Sequence, residues 1–352
     1  MDDKLLNIFN QFKVDGEAYD IVPFGNGLIN KTFIVKTDVK DYLLQRVNSY
    51  VFRNVDALMR NIYIVTTHLR NKPKTTLHVR KTINHKIFVC EDGVYYRLYT
   101  FIKGTRCYEK LDCLDMVYKM GAAFGEFHSD LSDLDSILIA ETIPDFHNTP
   151  KRYDNLIESV KVDIAGRVPE CLDELNYIMK NKKNISMIMD GLNSGEIPQR
   201  IVHNDPKINN VLFDENTGDV KCVIDLDTVM PGSYLFDYGD ALRSLFTGEM
   251  ESSLDSSKLK VDIGTFRAYT EGYLSKVNGS LTKREIELLP MSVFTITVEL
   301  AIRFLEDYIV GDKYFKTSFE KENLVRARNQ IALAKDISAH MDELTEIVKS
   351  CF

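Results

Sequence analysis

The feature that most restricts what this 352-residue chain can fold into is a change of hydrophobic period near Gly104. Before it, short β-rich runs recur: Asp20 to Phe24, Lys31 to Val35, Tyr42 to Val47, then Ile87 to Cys90 and Tyr95 to Ile102 joined through Glu91-Asp92-Gly93. Turn residues between such runs are what antiparallel strands require. Two helical patterns interrupt them: residues 3–13, with Leu5, Leu6, Phe9 and Phe12 on one face, and residues 54–70, with Val55, Leu58, Met59, Ile62 and Leu69 as the stripe. After Gly104, helical spacing covers about 112–130, 151–162, 169–191, 257–275, 283–309 and 321–349, and the only β-rich interruption is Ile201 to Asp227. The expected class is α+β, with a small β-rich lobe at 1–103 and a larger, mainly helical lobe at 104–352.

Charge and composition narrow the function. With 44 basic against 52 acidic side chains the net charge is −8, the wrong sign for a nucleic-acid partner. The basic stretch Arg70 to Lys86 has no interleaved aromatics and reads as a solvated face. Six scattered cysteines without a C-x-x-C fit neither a zinc site nor a disulfide framework. Acidic residues follow Met1, where a signal peptide would carry base, and no apolar run approaches about 18 residues, so a cytoplasmic chain without a membrane partner is expected.

The densest polar constellation lies in the interruption. Ile201-Val-His-Asn-Asp-Pro-Lys-Ile-Asn-Asn-Val-Leu-Phe213 and Val220-Lys-Cys-Val-Ile-Asp-Leu-Asp227 flank a turn at Asn216-Thr-Gly218, a hairpin that would bring Asn210 and Asp225 side by side. An amide oxygen and a carboxylate suit Mg²⁺ that is otherwise held by substrate phosphates. Asp205 is placed to accept a proton from an attacking hydroxyl, and Lys207 to neutralise charge on the transferred phosphate. His-x-Asp-x-Lys-x-x-Asn is the spacing of a kinase catalytic loop. His203 reads as structural, and Asp237 and Asp240 as helix caps that also support the loop. Upstream, Phe24-Gly-Asn-Gly-Leu-Ile-Asn30 lies between two strands, which excludes dinucleotide and Walker loops. A strand–turn–strand of this kind can fold over nucleotide phosphates through Gly25, Gly27 and Asn30.

These motifs resemble the aminoglycoside phosphotransferase and choline kinase superfamily, whose fold is two-lobed and protein-kinase-like. Within it the chain is most similar to the N-acetylhexosamine 1-kinase family. Phrases that carry the likeness run nearly end to end: Gly27 to Phe33, Tyr42 to Phe52, Asp56 to Ile62, Ile143 to Arg152, His203 to Asn210, Leu226 to Gly232, Arg303 to Tyr308, Gly311 to Lys316 and Asn323 to Arg328. The resemblance implies transfer from ATP, with Mg²⁺, to the anomeric hydroxyl of N-acetylglucosamine or N-acetylgalactosamine. It implies Asp205 as base, Asn210 and Asp225 as metal ligands, and Arg303 as a contact to the sugar. Read without it, Arg303 would be half of an i,i+4 ion pair with Glu299 or Asp307.

The chain departs from the family pattern in two places. The catalytic loop reads His-Asn-Asp-Pro where relatives commonly have Gly and a small polar residue, and Gln45, beside Arg46, stands where a strand lysine is usual. Strand alternation sends Gln45 and Arg46 to opposite faces, so only one can reach the phosphates. A protein kinase is disfavoured, because the span from Asp225 to Asp237 is too short for an activation segment. The competing readings are a choline-like or aminoglycoside-like hydroxyl kinase and an inactive kinase-fold binding protein.

Overall fold

The structure, a computed structural model, describes residues 2–25, 30–277 and 279–352, and for Glu249 the backbone alone. The chain forms two compact units that are discontinuous in sequence: Met1–Arg106, Asp130–Pro144 and Leu212–Pro231 in the first, and Cys107–Ser129, Asp145–Val211 and Gly232–Phe352 in the second. The sequence reading cut the chain once, between 103 and 104. The additional segments join the first unit through long-range bonds that no local pattern announces.

In the first unit, β1 (Ala18–Pro23), β2 (Lys31–Thr37), β3 (Tyr42–Val47), β4 (Val89–Glu91) and β5 (Val94–Thr100) form an antiparallel sheet in the order β1-β2-β3-β5-β4. Helix α1 (Asp3–Phe9) starts on the Asp2 carboxylate, which accepts from the amides of Lys4 and Leu5. It sets Leu5, Ile8 and Phe9, with Phe12 beyond its end, against Val35, Tyr42, Leu44, Tyr96 and Leu98. That buries one sheet face. The opposite face carries the neighbours-in-register Thr32, Gln45 and Arg97.

Helix α2 (Val55–Leu69) ties in the remote segments. Buried Asn61 donates to the carbonyls of Ala140 (2.7 Å) and Val229 (3.2 Å) and accepts from the Ala140 amide (2.8 Å). One side chain therefore pins two distant stretches. β6 (Thr105–Arg106) pairs with β8 (Val211–Asp214), and β8 with β9 (Val220–Val223), in a three-stranded sheet.

The second unit is built around α9 (Lys283–Ile309), against which α4 (Thr149–Val162), α6 (Lys182–Ser194), α7 (Tyr234–Thr247), α10 (Glu322–Ala339) and α11 (Met341–Lys349) pack. A capping box between Thr282 and Glu285 starts α9. Contrary to the sequence reading, α9 does contain an 18-residue window apolar enough to cross a membrane, and 83% of that window is buried inside this unit. Helices α3 (Leu114–Leu131) and α8 (Ile263–Val277) cross closely, since a Cβ on Gly121 or Gly125 would collide with the carbonyls of Tyr269 and Tyr273.

Two expected long helices are broken. The 169–191 pattern divides into α5 (Leu172–Lys180) and α6 at Asn181, whose side-chain amide takes the Tyr177 carbonyl (2.9 Å). The 321–349 pattern divides into α10 and α11 at His340, whose ring bonds the Asp336 carbonyl (2.9 Å). Strand β7 (Arg200–Val202) leads into the polar loop of interest.

Candidate active site

In the second unit, the chain leaves β7 at His203, turns at Asn204 in the left-handed region (φ 65°), and reaches Asp205 and Lys207 before a 3-10 turn at Ile208–Asn210. Asp237, fully buried in the first turn of α7, holds this loop. Its carboxylate accepts from the amides of His203 (2.7 Å) and Asn204 (2.6 Å), and it lies 2.7 Å from His128 Nε2. His128 in turn stacks on Tyr234 and meets the Tyr273 hydroxyl at 2.9 Å through Nδ1. His203 packs edge-on to Phe124 and Phe127, and its Nδ1 accepts the Asp205 amide (3.3 Å).

The loop so held gathers the polar atoms of its tip. Lys207 Nζ lies 2.7 Å from Asp205 Oδ1, and Asn210 Nδ2 donates to the Asp205 carbonyl (2.7 Å) and more weakly to Oδ2 (3.4 Å). Burial alone would depress the Lys207 ammonium, but the Asp205 carboxylate outweighs it and raises the pKa. Lys207 is therefore charged and points at the candidate base. With its nitrogen used on Asp205, Asn210 presents its amide oxygen as the face suited to a hard cation. Beside Lys207 lies a cavity of about 260 Å³ whose wall includes Asn209, Arg243, Thr247, Glu109 and Glu251. Asp240 is paired with Arg243 (2.7 Å), and the guanidinium overrides burial to hold the carboxyl below its usual range.

Helix α9 contributes from another side of the same unit. Glu299 pairs with His147 (2.9 Å) and accepts from the Thr149 hydroxyl (2.6 Å), while His147 Nε2 approaches the Asn204 carbonyl (3.4 Å). Asp307 accepts the amides of Lys313, Tyr314 and Phe315 at 2.8–2.9 Å. Both carboxylates that could have paired with Arg303 are thus engaged elsewhere, and among the described residues Arg303 makes no ion pair. Its guanidinium lies over the rings of Phe146 (5.7 Å) and Phe315 (5.6 Å) instead.

The first unit holds the remaining candidates. Gly25 follows β1 with φ 71°, a conformation that favours glycine. Gly27 lies outside the described residues. Asn30 donates to Asp227 Oδ2 (2.6 Å) and accepts the Asn48 amide (3.0 Å). Gln45 donates to Thr32 Oγ1 (3.0 Å) and accepts from Arg97 Nε (2.9 Å), and Arg97 Nη1 closes the network on Asp227 Oδ1. Asp227 is 4% and Arg97 2% exposed. Arg46 is exposed on the opposite sheet face from this network. Asp225 is exposed, sits in the left-handed region (φ 58°) and opens a 3-10 turn.

Among the described residues no group of three or more His, Cys, Asp or Glu is disposed to hold a metal ion. Asn210 in the second unit and Asp225 in the first each carry an oxygen of the kind that suits a hard cation.

Sequence reasoning missed Arg97 and the buried role of Asp227. The available signal was a lone cation in the otherwise apolar strand Tyr95-Tyr-Arg-Leu-Tyr99, which demands a buried counter-charge.

The profile of the phosphotransferase enzyme family (APH) matches residues 20–269. This chain belongs to that family. Its fold is shared with an aminoglycoside phosphotransferase from Alicyclobacillus acidocaldarius, at TM-score 0.68 and 13% identity over 98% of this chain and 96% of that one. A microcompartment-associated aminopropanol kinase aligns at TM-score 0.67 and 14% identity over 97% and 98% of the two chains. Choline kinase from Cryptosporidium parvum aligns at TM-score 0.61 and 13% identity over 99% and 98%. The expected superfamily and the protein-kinase-like architecture, a small antiparallel sheet part and a larger helical part, therefore hold.

Proposed function

We propose that this phosphotransferase is an ATP-dependent small-molecule kinase that phosphorylates the anomeric hydroxyl of an N-acetylhexosamine to give the sugar 1-phosphate. The observation that carries the reading is the Asp205 carboxylate, held beside Lys207 and Asn210 on a loop anchored by buried Asp237. Asp205 takes the proton of the acceptor hydroxyl as its oxygen attacks the γ-phosphorus and the bond to the ADP oxygen breaks. Lys207, 2.7 Å from Asp205 Oδ1, neutralises charge on the phosphoryl oxygens during transfer. Asn210 and Asp225 are the residues assigned to Mg²⁺, which when bound screens the charge of the nucleotide phosphates.

For the nucleotide, the assignment is Gly25, Gly27 and Asn30 with the Gln45 face of the sheet. Gln45 orients Arg97, whose guanidinium is spent on buried Asp227 and so braces this face of the sheet. Arg46 has no role in this scheme. For the acceptor, the sugar reading is favoured over a cationic amino alcohol by the state of the acids on α7 and α9. Asp240 is paired with Arg243, Glu299 with His147, and Asp307 with backbone amides, whereas Arg303 is set between aromatic rings. A neutral sugar with an amide group is matched by such donors, and a quaternary ammonium is not.

The test is ATP turnover with N-acetylglucosamine, N-acetylgalactosamine, galactose, choline, aminopropanol and kanamycin, with products examined by ³¹P–¹H coupling. Turnover of an N-acetylhexosamine with phosphate on the anomeric oxygen is expected. Turnover confined to choline, aminopropanol or kanamycin would overturn the acceptor and keep the reaction class.

A further inference from the structure

The first unit contains a second pocket, of about 280 Å³, that involves none of the residues assigned above. Its wall brings together Lys13, Tyr63, Arg70, His78, Arg80 and Lys81, and no carboxylate contributes to it. Part of this is the basic stretch that sequence alone reads as a solvated face, and here its side chains line a cavity open to solvent on one side. The framework is fixed by backbone contacts. Arg80 donates through Nε (3.1 Å) and Nη2 (2.7 Å) to the Lys13 carbonyl, and the Lys13 amide donates to the Lys81 carbonyl (2.8 Å).

Lys13, Arg70 and Lys81 form no ion pair among the described residues, in a protein whose other cations are widely paired. Asp15, the acid that reaches this group, is 3.6 Å from Arg80 and is already taken by Lys40 at 2.6 Å. The Lys81 ammonium lies 4.7 Å from the Tyr63 ring centroid. Hydrogen bonding from Lys81, with the nearby charge of Arg70, lowers the Tyr63 hydroxyl pKa and makes it a better donor. Burial, then Arg70, Arg80 and Lys40, push His78 down to about 4. Gathering like charges around one depression is unfavourable, and an anion seated there relieves it.

We propose that this pocket is a binding site for a small, multiply charged phosphate anion, either an oligophosphate or a phosphate monoester, held by Arg70, Arg80, Lys81 and the Tyr63 hydroxyl. The cavity lies just under the roughly 300–1,000 Å³ of ordinary ligand sites, which suits a compact anion and not a folded partner. With the Arg80 Nε and Nη2 donors on the Lys13 carbonyl, the Arg70 guanidinium and the Lys81 ammonium are the groups that match phosphate oxygens, and Arg80 adds its charge. The site is independent of the acceptor and of the reaction proposed above.

Because pyrophosphate could also enter a nucleotide site, the readout must be local. His78 provides it: its imidazole resonance, assigned through His78→Gln, is titrated in the full-length protein with and without millimolar pyrophosphate, and separately with glucose 1-phosphate. An anion in the pocket should raise the His78 pKa by about one unit or more, since an opposite charge within about 4–6 Å favours the protonated ring. The Arg70→Gln, Lys81→Gln double variant, checked for folding by circular dichroism, should lose the shift at concentrations that saturate the wild type. A response to pyrophosphate alone identifies an oligophosphate site, and an equal or stronger response to glucose 1-phosphate identifies a monoester site. An unchanged His78 titration with both anions overturns the proposal, as does a response seen only with a long polyanion such as heparin.

Discussion

Asp227 in the first unit and Asp237 in the second are nearly inaccessible carboxylates, and the two are held by different chemistry. Asp227 of the first unit is clamped by the Arg97 guanidinium and the Asn30 amide. Asp237 of the second unit is held by the amides of His203 and Asn204 and faces the His128 ring. A guanidinium stays charged at every relevant pH. The imidazole of His147, paired with Glu299, does not, and it reaches the Asn204 carbonyl. The clamp on Asp227 therefore does not depend on pH, while the loop that carries the candidate base touches one pair that does, His147 with Glu299.

The largest stability effect should come from the arginine clamp. Arg97→Met leaves Asp227 buried and uncompensated, at a cost of about 3–5 kcal/mol measured by urea unfolding, because removing one partner of a buried pair strands the other. Replacing both partners, as Arg97→Met with Asp227→Leu, should recover much of that loss. Equal destabilisation of the single and double variants would contradict the description of the clamp.

Asp237→Asn should cost less, about 1–3 kcal/mol, because an amide of the same shape keeps one acceptor and faces a backbone N–H with a donor. Its loss of turnover should exceed its loss of stability. A stability loss larger than that of Arg97→Met would reverse the ranking of the two units.

pH separates the units next. Burial works against protonated His147, but Glu299 outweighs it, so the folded pKa is raised above 6.5, and the same pair lowers Glu299 below 4.5. The histidine's contribution is complete below 6.5 and is lost as pH rises through the higher folded value. The glutamate's contribution is complete above 4.5 and is lost as pH falls through the lower one. The Tm gap between wild type and Glu299→Gln should thus be widest between 4.5 and 6.5 and narrow on both sides. A gap that does not vary with pH would break the contrast with the arginine-held unit.

Much of this was legible in the residues. Strands at Lys31, Tyr42 and Tyr95, the hairpin after Asn210, and the His-x-Asp-x-Lys-x-x-Asn spacing all follow from local periodicity and turn chemistry. The interruptions at Asn181 and His340 did not, because an apolar stripe continues through a break made by one side chain bonding backbone. Nor did the Arg97–Asp227 pair or the Asn61 bonds, whose partners are far apart in sequence and meet only after the sheet has set its register. The i,i+4 pairing open to Arg303 was reasonable from spacing alone, and it fails because Glu299 and Asp307 find better-placed partners.

The smallest expected effect belongs to Arg303. Arg303→Lys keeps the charge but loses the guanidinium placed over Phe146 and Phe315, and should raise acceptor KM roughly tenfold, about 1.4 kcal/mol, with KM for ATP unchanged. An equal rise in both constants would argue that the residue supports the fold and not the acceptor.

The central claim is that Asp205 receives the acceptor's proton, and Asp205→Asn under single-turnover conditions with N-acetylglucosamine addresses it most directly. The variant should bind nucleotide as the wild type does and transfer phosphate about 10²–10⁴-fold more slowly. Unimpaired transfer by a variant that binds nucleotide normally would contradict it.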